Sequence, residues 1–136
     1  MTGEEKELLL KDLYSRLPYN PMVEYKGETY NVLGITRGRL VLCKPFMSYT
    51  LDEHPLVEKV KSYLFPISSM TEEQKEEYHY IVNYISPDDT DNWKEGEFIY
   101  VNQMTALLHF YHKNHLDYRG LIPIDLAIDA TGKHIY

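Results

Sequence analysis

The stretch Met22-Val-Glu-Tyr-Lys-Gly-Glu-Thr-Tyr-Asn-Val-Leu-Gly-Ile-Thr-Arg-Gly-Arg-Leu-Val-Leu-Cys43 decides the fold class. Runs rich in β-branched, aromatic and leucine residues (Val23 and Tyr25, Tyr30 to Ile35, Leu40 to Cys43) are separated by Lys26-Gly27-Glu28 and Arg37-Gly38. Glycine-bearing turns between such runs read as hairpins. Three short antiparallel strands therefore form a meander. The run Arg39-Leu-Val-Leu-Cys43 is apolar on both faces, which places its strand centrally with Cys43 buried. Beyond it Pro45, Pro55 and Pro66 interrupt the chain, and Val60 to Phe65 offers a fourth strand that would curl the sheet into a partial barrel.

Helical patterns flank this core on both sides. Upstream, Leu9, Leu10, Leu13, Tyr14 and Leu17 recur at helical spacing over about Glu4 to Leu17, with Glu4, Glu5 and Glu7 suited to the positive end of the helix and Pro18 to end it. Downstream, Thr71-Glu-Glu-Gln74 is a capping box opening a helix from about Glu72 to Ile85. Tyr78, Ile81, Val82 and Ile85 form its inner stripe, and Glu72, Glu73, Glu76 and Glu77 face solvent. Ser86 to Glu95 reads as a loop and Glu97 to Val101 as a short strand or extended lead-in. Asn102 is the N-cap of a third helix reaching about Asn114, with Met104, Leu107, Leu108 and Tyr111 inward. Gly120 redirects the chain, and Leu121 to Ala130 reads as a short helix after Pro123. The expectation is a single α+β domain over residues 1–136. It has an N-terminal helix, a small antiparallel meander of three to four strands with scope to curl into a partial barrel, and two to three C-terminal helices.

The chain has 136 residues, enough to bury a core without disulfides, and its 43% apolar and 26% charged residues lie outside the range of disordered chains. One cysteine excludes an intramolecular disulfide and multi-cysteine metal centres. The first residues, MTGEEKELLLKD, carry acids where a secretory signal has bases, and no run approaches the roughly 20 apolar residues of a membrane span. A cytoplasmic protein with no membrane partner is expected, and one made in the host cytoplasm by a mobile element would look the same. The net charge is −7, with four bases against two acids in residues 22–51 and seven against fifteen in residues 52–136. That balance argues against a general nucleic-acid binder. It leaves one basic patch on the meander, Lys26, Arg37, Arg39 and Lys44 with Tyr25 and Tyr30 for stacking, and hence an alternative function in nucleic-acid or nucleotide binding.

His109, His112 and His115 are spaced three apart and fan over about 120° of a helix, whereas helical zinc pairs stand at i, i+4. No metal is expected there; His115 reads as core and the other two as surface. Asp117-Tyr118-Arg119-Gly120 has two readings. It presents an ion pair and a phenol to a ligand, or it is a corner in which Asp117 caps or pairs with Arg119, Tyr118 packs and Gly120 takes a positive φ. There is no P-loop, Rossmann glycine pattern or G-x-S-x-G, Ser68-Ser69 lead into a helix, and Cys43 sits in a strand, so no nucleophile, cofactor or enzyme is expected. Asp88, Asp89, Asp91, Glu95 and Glu97 extend the acidic helix face, as a phosphate mimic or a solvated surface.

Thirteen tyrosines are a clear excess, and tyrosine supplies contact area at low entropic cost. Tyr14, Tyr78 and Tyr111 fall on core stripes; Tyr49, Tyr80 and Tyr84 fall on the surface. The expected function is non-catalytic binding of a protein partner through a tyrosine-bearing surface, with Asp117, Tyr118, Arg119, Tyr80 and Tyr84 as candidates.

Two blocks, Tyr63-Leu-Phe-Pro-Ile-Ser-Ser-Met-Thr-Glu-Glu-Gln-Lys-Glu-Glu-Tyr78 and His115-Leu-Asp-Tyr-Arg-Gly-Leu-Ile122, resemble a family of short uncharacterised proteins encoded by prophages and mobile elements of gut Bacteroidetes. They span about a sixth of the chain. The resemblance implies a phage or mobile-element setting and cytoplasmic synthesis, and no particular activity. Family members tend to carry a Trp-Leu-Asn type helix before the corner, where this chain has His109-Phe110-Tyr111-His112.

Overall fold

The structure, a computed structural model, describes residues 1–47, 49–85 and 102–136. The expected loop at Ser86 to Glu95, the extended lead-in at Glu97 to Val101 and the acidic run lie outside the described residues. The elements are α1 (Gly3–Arg16), β1 (Met22–Tyr25), β2 (Glu28–Thr36), β3 (Arg39–Cys43), β4 (Lys61–Leu64), α2 (Glu72–Tyr84), α3 (Gln103–Lys113) and β5 (Ala127–Asp129). The sheet runs β3-β2-β1-β4-β5 and is open, with β4 and β5 parallel and every other pair antiparallel. This is the expected α+β class, with an open sheet in place of a partial barrel.

Both hairpins turn on a pair of positive φ values, 51° and 79° at Lys26-Gly27 and 53° and 76° at Arg37-Gly38. Turns of that kind match the right-handed twist of the strands they join, which is why two X-Gly pairs suffice to set the meander. Contrary to expectation, β3 is an edge strand. Its outer side is covered by bridges from Arg39 to Leu56 and from Cys43 to Thr50, and Leu40 N donates to Pro55 O at 2.8 Å. A strand that is apolar on both faces suits a covered edge as well as a centre.

The segment after Pro123 also departs from expectation, forming turns and then β5. The Asp117 carboxylate takes the amides of Leu121 (2.8 Å) and Ile122 (2.9 Å), and Asp125 adopts a left-handed φ of 62° that a helix does not accept. Released as an extended chain, Ala127–Asp129 pairs with Ser62 to Leu64.

One face of the sheet carries Val23, Tyr30, Val32, Leu40, Leu42 and Leu64 against Leu9 and Leu13 of α1. The buried stripe of α1 is Leu9, Asp12, Leu13 and Arg16, so Tyr14, expected inside, is half exposed. A second cluster holds α2 to α3 through Ile81, Ile85, Ala106, Phe110 and Leu116. In α3 the inward residues are Ala106, Phe110 and His112, while Met104 faces solvent, a rotation of the expected stripe. Phe65 extends β4 to meet Leu116: its N–H donates to His115 O and its carbonyl accepts from Asp117 N, both at 2.8 Å. That junction ties the α2/α3 pair to the sheet. Among the described residues no helix is long and apolar enough to cross a membrane.

Candidate functional site

The corner at Asp117 to Gly120 is built from the inside. Asp12 on α1 is fully buried and accepts from Arg16 Nε at 2.9 Å and from Arg119 Nε at 3.0 Å. Arg16, also fully buried, donates through Nη2 to Leu116 O at 2.7 Å. The guanidinium carbons of Arg16 and Arg119 lie 5.3 and 4.9 Å from the centre of the Tyr118 ring, which stacks on Tyr111 at 4.8 Å. Asp117 holds the two backbone amides that follow the turn, and Gly120 takes a φ of 73°. Arg119 thus pairs with Asp12 rather than Asp117, and the carboxylates of the corner are answered within it, while the buried Arg16 Nη1 has no hydrogen-bond partner among the described residues. The geometry is that of the structural corner. Sequence reasoning passed over Asp12 and Arg16 because their type is polar; the available signal was an i, i+4 acid and base falling on the stripe of Leu9 and Leu13.

Two of the histidines join this interior. Helix α3 ends with Leu116 N donating to Tyr111 O (2.9 Å) and His115 N to His112 O (3.1 Å), with His115 in the left-handed region at φ 54°. This is a Schellman termination with histidine in the position that favours glycine. His115 has therefore already left the helix, and its helical-wheel position does not apply. Its ring stacks on Tyr136 at 3.5 Å and 13°, and burial, with Arg16 adding, lowers its pKa to about 4. His112, expected on the surface, is the buried one, with Nε2 2.8 Å from the Tyr118 hydroxyl. Burial, then Arg16 and Arg119, lowers its pKa to about 4. His109 is half-buried, Nδ1 lies 2.8 Å from the Tyr19 hydroxyl, and burial lowers its pKa as well. Among the described residues no group of three His, Cys, Asp or Glu side chains is placed to hold a metal.

The basic patch of the meander is locally answered. Lys26 Nζ meets Glu53 at 3.2 Å and Lys44 Nζ meets Glu28 at 3.1 Å, contacts that raise both lysine pKa values. Arg39 donates to the His54 carbonyl at 3.1 Å, and Arg37 stands on the exposed turn. The four bases are not gathered into one free cationic surface.

Tyr80 and Tyr84 are placed differently. The inner face of α2 is held by Ile81 and Ile85, by the Tyr78 ring 6.1 Å from Phe110, by a hydrogen bond from Gln74 to Asn114, and by an ion pair of Glu77 with Lys113. With that face fixed, Tyr80 and Tyr84 point outward, 54% and 71% exposed, their rings stacked at 5.5 Å and 28°. They border a shallow hollow of about 360 Å³ shared with Lys75, Glu76 and His79.

The chain matches no protein-family model, no curated protein and no solved structure.

A second concavity, about 420 Å³, opens on the other face of the sheet between Met22, Leu33, Cys43, Phe46, Ile135 and Tyr136. Phe46 at its lip is fully exposed and takes a φ of 65° in the turn Lys44 to Met47. The Tyr136 phenol is inserted at the inner end, donating to Tyr63 O at 2.8 Å and accepting from Met22 N at 3.1 Å; burial raises its pKa to about 12. Neither residue stood out in the sequence, because a turn phenylalanine and a last tyrosine carry no pattern of their own.

Proposed function

We propose that this protein is a non-catalytic binding module that engages a protein partner through the Tyr80/Tyr84 face of α2, and that it acts in a phage or mobile-element setting, on a host or phage protein. One observation carries the reading: two large amphipathic rings, stacked on each other and exposed, on a helix whose opposite face is packed into the domain. Stacked tyrosines lose little rotamer freedom on binding, so the area they offer is inexpensive in entropy. The corner residues Asp117, Tyr118 and Arg119 serve this function by holding α3, and through it α2, against the sheet. The nucleic-acid alternative is less favoured, since Lys26 and Lys44 already face carboxylates.

Affinity capture from the native host, read by mass spectrometry, tests the proposal with wild type beside Tyr80→Ser/Tyr84→Ser. The double variant keeps its fold, because surface changes of this kind stay within about 0.5 kcal/mol each. A partner captured by wild type is lost by the variant, since a buried interface tyrosine is worth about 2 kcal/mol, roughly 30-fold in Kd. Identical capture by the two proteins, or co-purifying nucleic acid that leaves with neither change, overturns it.

A further inference from the structure

We infer that the occupant of the α2 face is a basic segment of the partner, with an arginine laid against Tyr80 and Tyr84 and its guanidinium turned to Glu76, and with Glu73 one turn further along drawing the next basic residue of the segment; this rests on the reading of that face as the docking surface. At 100° per residue, Glu73 lies about 20°, Tyr84 about 40° and Glu76 about 40° to the other side of Tyr80. Two carboxylates and two stacked rings therefore form one stripe along the helix. The charges on α2 differ in how they are answered. Glu77 pairs with Lys113, and Lys75 pairs with Glu72 at 3.3 Å. Among the described residues Glu73 and Glu76 make no ion pair; with Lys75 set against Glu72, Glu76 leaves the hollow beside the tyrosines net negative, and Glu73 adds its charge beyond the rim.

That residual charge selects the partner. An apolar segment seated here would strip water from Glu76 with nothing to replace it, and an acidic segment or a nucleic-acid backbone would be repelled. A guanidinium satisfies both features at once: its plane lies on an aromatic face, and its forked donors fit a carboxylate. An ammonium group reaches the carboxylate but has no plane to stack. The net charge of −7 draws basic partners towards the molecule from a distance.

The probe is a fluorescein-labelled peptide of alternating glycine and arginine, followed by fluorescence anisotropy with the full chain, beside matched lysine and glutamate peptides. The arginine peptide binds, the lysine peptide binds at least about 5-fold more weakly and the glutamate peptide does not bind. Glu73→Gln/Glu76→Gln and Tyr80→Ser/Tyr84→Ser each weaken the arginine peptide about 10-fold or more, and Glu4→Gln/Glu7→Gln on α1 leaves it unchanged. Equal loss in the α1 variant marks general charge attraction and overturns the inference, as does absence of binding or indifference to Glu73 and Glu76. The host capture separates this failure from that of the docking face. A protein lost with Tyr80→Ser/Tyr84→Ser but retained by Glu73→Gln/Glu76→Gln at high salt overturns the basic segment and leaves the docking face standing. Capture indifferent to both pairs overturns the docking face itself.

Discussion

Asp12→Asn is the perturbation that most directly tests how the interaction face is held. The carboxylate is fully buried and is the acceptor for both Arg16 and Arg119. Asparagine preserves shape, but it replaces one acceptor oxygen with an NH₂ facing a guanidinium donor, and it removes the charge that balances a fully buried arginine. A hydrogen bond to a charged group contributes about 1.5–3 kcal/mol, and breaking a buried ion pair costs about 3–5 kcal/mol. Against a total stability of about 5–15 kcal/mol the loss is large. In urea unfolding followed by far-ultraviolet circular dichroism, with a slope of about 2 kcal/mol/M, the midpoint falls by about 1.5–2.5 M. Arg119→Met is milder, about 1–2 kcal/mol, because the Arg119 side chain is 18% exposed and the Asp12/Arg16 pair survives. The double variant costs less than the sum of the two singles, since both remove the same Asp12–Arg119 contact. A loss below about 1 kcal/mol for Asp12→Asn refutes the reasoning. A well-packed Asp12→Leu/Arg16→Met pair that matches wild type in stability would show instead that the ions set the geometry of the corner rather than its strength.

Acidification acts on the same region. The folded pKa values of His112 and His115, about 4, lie below the ordinary 6.5, so the unfolded chain takes up protons first as the pH falls. Their stabilising contribution is complete above about pH 6.5 and is lost towards pH 4, at about 1.4 kcal/mol per pH unit per group. Between pH 7 and 5 each contributes a loss of up to about 2 kcal/mol, and His112→Gln flattens the profile by about half. Urea midpoints that do not change across that window contradict the burial of both rings. Phe46→Gly is expected to raise stability by about 0.5–1 kcal/mol, because the fully exposed ring makes little packing while its φ of 65° favours glycine. A lower thermal midpoint for this variant would mean that the ring is held against something.

The meander, the capping box at Thr71 and the N-cap at Asn102 were legible in the sequence because each is a local matter. A turn needs only its own two residues, and a cap only the next three. The outward direction of Tyr80 and Tyr84 followed for the same reason, since helical periodicity separates them from Tyr78, Ile81 and Ile85. Three features had to wait for the tertiary structure. The place of β3 at the edge depended on a covering loop from Thr50 to Leu56, and strand order is a long-range choice that hydropathy does not encode. The parallel strand β5 arose because Asp117 captured two amides and freed the chain behind them. The corner owed its structural character to Asp12 and Arg16, about a hundred residues away in the chain. A buried ion is stable only where its partner stands, and where the partner stands is decided by packing.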